Sequence, residues 1–285
     1  MSDQILRNTQ GDLQVTFYSG GSATSADDDV LVTVVNAAGS AVATAGTATA
    51  AGTASPGVYD YSLSPQADLD AFTLTWTGAF GGVTQSVETQ VEIVGGFHVA
   101  LADVRALSGL TDETKFTTAR IQEVRRWWEE LSESFCGVAF VPRFERCTND
   151  GDGTTSLMLC NMHPRKLLSV TVDDTAVTDL TDWHLYDSGK VIRDDGGVFT
   201  ADVCNVVIAY EYGYDSPPAD LREAALVAIR YKLLGDKSGI PERAMSMTTD
   251  VGGYTLSIAG ANRPTGIPEV DSALMQHQET GPLVR

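Results

Sequence analysis

The residues of this chain best suited to chemistry are four histidines, four cysteines and a dense set of carboxylates, 38 Asp and Glu in 285 residues. His98, His163, His184 and His277 are scattered, and none stands in an HExxH metalloprotease pattern. The sequence holds no GxSxG nucleophile elbow and no phosphate-binding loop of P-loop type. Gly20-Gly21-Ser22 follows a strand pattern but opens no helix, so its amides lack the helix N-terminus that cradles a phosphate. Cys136, Cys147, Cys160 and Cys204 include no CxxC pair. Cys160-Asn161-Met162-His163 has a ligand-like spacing with Cys147 upstream, but a zinc site needs a second clear half, and buried free thiols are the expectation. Asp27-Asp28-Asp29 reads as a solvated acidic loop. Asn149–Gly153 begins like a calcium loop, but the twelfth position is Cys160 where calcium needs Glu, so a hairpin turn is expected. No enzymatic activity is expected, and no cofactor or metal is implied.

Charge narrows the partners. The net charge of −19 opposes a protein that grips phosphates, which requires clustered cations. It suits a surface that lets a polyanion slide past. Arg120, Arg125 and Arg126 form the densest basic cluster and are read as a solvated face or an acceptor for a neighbouring subunit's carboxylates. No run of 18 apolar residues occurs, so no membrane span is expected, and the first residues lack a secretory signal pattern. Synthesis in a cytoplasm is the expectation.

The elements that must position these residues fall into three regions. Residues 1–96 carry ten acidic residues and one basic residue, Arg7. Period-2 alternation recurs there, as in Phe72-Thr73-Leu74-Thr75-Trp76, with Gly and Pro breaks between the runs. That pattern predicts an antiparallel β-sandwich of immunoglobulin-like type. The Ala- and Thr-rich run Ala41–Ser55 is read as an edge strand and loop of that sandwich. Residues 97–238 predict a helical core, with helices at about 100–107, 112–135 (N-cap Thr111) and 219–234, and β-hairpins over 138–212 including a strand at Val138–Val141. The helix after Ser216-Pro217-Pro218 is apolar on nearly every side. It is expected to be buried all round, with Leu226 and Ile229 as candidates for a subunit interface. The fold class is thus a multidomain α+β protein.

Residues 239–285 predict a docking arm: strands at Met245–Thr249 and Tyr254–Ala259 around a Gly252-Gly253 turn, then a short helix opened by Pro268. A lone hairpin and a short helix bury too little apolar surface to order by themselves. The arm must therefore dock on its own core, a neighbouring copy or another protein. Ile267, Pro268, Val270 and Leu274 are the expected apolar side of the helix, and Met245, Met247, Leu256 and Ile258 contribute to the hairpin face. Deletion of residues 240–285 is expected to leave a folded protein that has lost its partner.

The stretch Trp127-Trp128-Glu129-Glu130 followed by Cys136-Gly137-Val138-Ala139-Phe140-Val141-Pro142-Arg143 resembles head-to-tail adaptor (connector) proteins of tailed phages infecting actinobacteria. Ser216-Pro217-Pro218 and Thr265-Gly266-Ile267-Pro268-Glu269-Val270-Asp271 fit the same family. The likeness covers about residues 97–285 and carries no catalytic residues. It implies a ring of twelve subunits in the virion neck, docked below the portal protein. That ring would extend a DNA channel, without sequence-specific binding, toward a stopper or other tail-side neck protein. The C-terminal segment would engage the portal or the adjacent subunit. Two other readings stand beside it: another neck ring protein (stopper or tail terminator), and a carbohydrate- or surface-binding protein using Tyr18 and Phe80 on sandwich loops.

Overall fold

The structure, a computed structural model, describes residues 3–52, 55–235, 246–249, 252–255 and 263–279. Its N-terminal part is a β-sandwich, and the alternation that predicted it is visible in the burial. Along Ala71–Phe80 the side chains of Phe72, Leu74, Trp76 and Phe80 turn inward while the threonines between them face outward. One sheet has the order Asp3–Leu6, Val83–Val94, Ala71–Phe80, Leu31–Asn36, Ala41–Thr47. The facing sheet has the order Gly11–Thr16, Val58–Leu63, Thr49–Ala50. Pairing is antiparallel except for Asp3–Leu6, which runs parallel to Val83–Val94. The Ala/Thr-rich run forms the edge strand Ala41–Thr47 and then crosses to the second sheet through Thr49–Ala50. Between the sheets lie Phe17, Tyr59, Phe72, Trp76 and Phe80.

Among the described residues four helices follow: α1 (Leu101–Arg105), α2 (Thr118–Cys136), α3 (Ala219–Gly235) and α4 (Pro268–Gln276). They enclose one apolar core containing Ile121, Val124, Trp128, Leu221, Ile229, Val270 and Leu274. Between α2 and α3 the chain builds a β-rich unit. Its four-stranded sheet has the order Arg143–Gly151, Asp202–Tyr212, Pro164–Val172, Thr175–Val177. A three-stranded sheet, Ser156–Met158, Lys190–Arg193, Trp183–Leu185, lies beside it. These sheets share a core of Trp183, Phe199, Ile208 and Tyr210.

Several elements differ from the sequence expectation. Helix α2 starts six residues late, because Thr117 rather than Thr111 is its N-cap and accepts from the Arg120 amide at 3.3 Å. Asp112 instead accepts from the amides of Thr114 and Lys115 at 3.0 Å each and closes a separate turn. Val138–Val141 is buried but is no strand. The next strand begins at Arg143 and runs to Gly151, past the expected turn at Asn149. Helix α3 is not covered on every side, since Val227 and Tyr231 are exposed by 37% and 65%.

Candidate functional site

The arm proves to be two different things. Its helix belongs to the chain's own core: Val270 and Leu274 are fully buried against α2 and α3, and Ile267 packs beside them. The expected apolar edge for a foreign partner is therefore already occupied, and only Pro268 of that group is exposed. The residues before it form a turn held to Asp271. Thr265 donates its amide (3.0 Å) and its hydroxyl (2.7 Å) to Asp271 Oδ1, and its Oγ1 accepts from the Ile267 amide at 3.1 Å. Pro268 then takes the first helical position, where no amide donor is needed.

Beyond α4 the chain is strapped down. The Glu279 amide donates to the Cys136 carbonyl at 2.7 Å, at the C-terminus of α2. There Gly137 caps the helix at φ +74°, and a β-carbon would lie 2.7 Å from the Glu279 carbonyl oxygen, so glycine is required twice over. The Glu279 carboxylate accepts from Tyr214 OH at 2.7 Å and meets His163 Nε2 at 3.0 Å, while His277 Nε2 meets Asp220 Oδ2 at 2.7 Å. Burial opposes the charge on Glu279 and Asp220, but these hydrogen bonds outweigh it and hold both carboxyls below their ordinary values. The Tyr214 hydroxyl is pushed up to about 12 by burial and by its bond to Glu279. A 27-residue stretch of sequence, 236–262, separates α3 from Arg263. Within it Ser246–Thr249 pairs antiparallel with Gly252–Thr255, Met247 opposite Tyr254. Gly252 and Gly253 thus pair with Thr249 and Thr248 and are strand residues, not the turn. Met245, Leu256 and Ile258 lie outside the described residues.

A second cluster joins the sandwich to the rest of the molecule. Arg143 opens the strand after α2 and donates to Glu129 at 2.8 Å and to Glu133 at 3.1 Å, and it lies 3.7 Å from Glu92 of the sandwich. Both Arg143 and Glu129 are buried. Burial works against the guanidinium, but Glu133, Glu92 and Glu129 hold it protonated and raise it further. Burial alone would raise Glu133, but Arg143 and His98 reverse that and hold it low, whereas Glu92 is raised because burial dominates. The Trp128 indole N–H donates to His98 Nδ1 at 3.2 Å, so the ring hydrogen belongs on Nε2, 3.3 Å from Glu133. The Gly95 amide donates to the Pro142 carbonyl at 2.9 Å, and Arg126–Asp3, Arg7–Glu211 and Lys166–Asp68 add ion pairs across the same boundary.

These contacts disperse the expected basic face. Arg125 is buried with its guanidinium 3.4 Å from the centre of the Phe97 ring, and burial lowers its proton affinity. Arg126 reaches Asp3 at 2.6 Å, and Arg120 pairs with Glu123 at 2.7 Å. Of the candidate interface residues on α3, Ile229 is fully buried in the chain's own core and Leu226 packs partly against it. Sequence reasoning missed the exposed pair Val227 and Tyr231, although their four-residue spacing places them on one helical face. Phe80 is a core residue rather than a loop aromatic, which leaves Tyr18 exposed without it. His163 meets Tyr214 and Glu279, and no metal-binding group of three or more His, Cys, Asp or Glu forms among the described residues. Among the same residues no helix is long and apolar enough to cross a membrane.

No protein-family model matches the chain, and no characterised protein matches it in sequence. Among solved structures, a chain of the neck of an empty GTA particle computed with C6 symmetry is similar. Identity is 15% and the TM-score is 0.41, over 66% of this chain and 93% of that one. At that distance the likeness assigns no role.

Proposed function

We propose that this chain is a structural, non-enzymatic component of a virion neck, a head-to-tail adaptor. Twelve copies form a ring below the portal protein, and DNA passes through it without sequence-specific binding. The observation that carries the reading is the hairpin of the arm. In sequence it lies between α3 and α4, two helices that both belong to the core. Among the described residues its strands pair only with each other, and a two-stranded hairpin of that kind is suited to adding to a partner's sheet. The exposed Val227 and Tyr231 supply a second apolar face, suited to the next subunit of a ring. The resemblance of residues 127–143 and 265–271 to phage adaptors supports the same reading, and the net charge of −19 suits a conduit that repels DNA.

The partners under this reading are the portal, the neighbouring adaptor copies and a tail-side protein, with synthesis in the host cytoplasm. A pull-down with purified portal protein tests it. The full chain should be retained, and a variant lacking residues 246–255 should fold and be lost. Equal retention of both would remove the hairpin from the account.

A further inference from the structure

Two thiols meet in the β-rich unit. Cys147 lies on the strand Arg143–Gly151, opposite Ile208, and its side chain belongs to the buried core. Cys160 follows the strand Ser156–Met158, and both of its neighbours are pinned. The Leu159 amide donates to the Gly189 carbonyl at 2.7 Å. The Asn161 amide donates to Tyr210 OH at 3.1 Å, and Asn161 Nδ2 donates to Glu145 Oε2 at 3.2 Å. Glu145 stands two residues before Cys147 on the same strand, so both side chains project from one face. Cys160 is thereby set against that face, beside the thiol of Cys147. On its other side Cys147 Sγ accepts from Asn149 Nδ2 at 3.2 Å. Cys160 as a residue is exposed while Cys147 is buried.

We propose that Cys147 and Cys160 are a latent cross-link that closes to a disulfide on exposure to an oxidising small-molecule disulfide such as oxidised glutathione. The exposed Cys160 thiolate attacks one sulfur of the oxidant and expels one glutathione thiolate. The Cys147 thiolate then attacks the Cys160 sulfur of that mixed disulfide and expels the second. One S–S bond forms in the protein as one breaks in the oxidant, and the two protons lost by the cysteines pass through solvent to the two expelled glutathione thiolates, which leave as thiols. Burial and the adjacent Cys147 push the Cys160 thiol up to about 12, so the reaction is slow at neutral pH and accelerates as pH rises. The bond would tie the strand Arg143–Gly151 to the loop after Ser156–Met158 and restrict the unfolded chain. On the neck-protein reading, closure would follow release of the particle from a reducing cytoplasm; that timing rests on the reading, and the bond does not.

The test is to incubate the full chain with oxidised glutathione at pH 8.5 and map its peptides without reduction. The expected product is a Cys147–Cys160 linked peptide lighter by two hydrogens, with Cys136 still free. Its melting temperature should rise by roughly 5–10 °C, a shift absent from Cys160→Ser under the same treatment. Glutathione that stays on Cys160 with Cys147 free would overturn the proposal. So would chain-to-chain cross-links through Cys204, or full recovery of unmodified Cys147 and Cys160.

Discussion

Removing the Arg143 guanidinium would leave Glu129 fully buried without its 2.8 Å salt-bridge donor, with Glu133 and Glu92 close by. Breaking a buried pair from one side costs about 3–5 kcal/mol, because the stranded charge keeps its desolvation penalty. Arg143→Met should therefore lower unfolding free energy by that amount in urea titration, whereas Arg120→Met should change it by less than about 0.5 kcal/mol, since Arg120 pairs with Glu123 near the surface. The strap carries a pH signature of defined sign. Glu279 and Asp220 sit below their ordinary values of 4.5 and 3.8 in the folded state. Between the lowered and ordinary values the unfolded chain binds more protons. Their contribution is complete above the ordinary range and disappears as pH falls through the folded values. Amide exchange in 268–279 should accelerate more than in α2 between pH 6 and pH 3, after correction for the intrinsic rate. Equal change in both segments would contradict the strap. None of this network was legible in the sequence, because Glu92, Glu129, Arg143 and Glu211 come from distant positions and converge only when the sandwich seats on the core.

At the scale of elements, α4 and the hairpin are energetically opposite. Leu274→Ala opens a cavity in the core shared by α2, α3 and α4 and should cost about 2–5 kcal/mol in thermal or urea unfolding. Deletion of residues 246–255 shortens the connection between α3 and α4 and should cost less than about 1 kcal/mol. The sequence expectation that residues 240–285 are dispensable for folding fails at Val270 and Leu274, which complete that core. The sandwich was readable because two-residue alternation reports which side chains turn inward, as Phe72, Leu74 and Trp76 do. The start of α2 was misread because Thr111 precedes two acidic residues, a good cap by composition, while Asp112 closes a local turn and leaves the cap to Thr117. Helix α3 was overcalled as buried because Val227 and Tyr231 complete an apolar circumference, and hydrophobicity alone cannot say which side meets solvent.

For the whole molecule, the ion pairs and the Gly95–Pro142 hydrogen bond seat the sandwich on the core, so the sandwich carries a fixed orientation into any assembly. The net charge of −19 is a property of the whole chain and was readable from composition alone. The partner that the proposed function gives the hairpin was not, because a strand edge gains its meaning from a second molecule. The most direct measurement of the central claim is an electron-microscopic reconstruction of the particle neck that resolves secondary structure. The account predicts twelve copies of this fold immediately below the portal, with the 246–255 hairpin against the portal or the adjacent copy and Val227 and Tyr231 covered by a neighbour. A neck without this chain, or a sixfold ring of it on the tail side with the hairpin in solvent, would contradict the account.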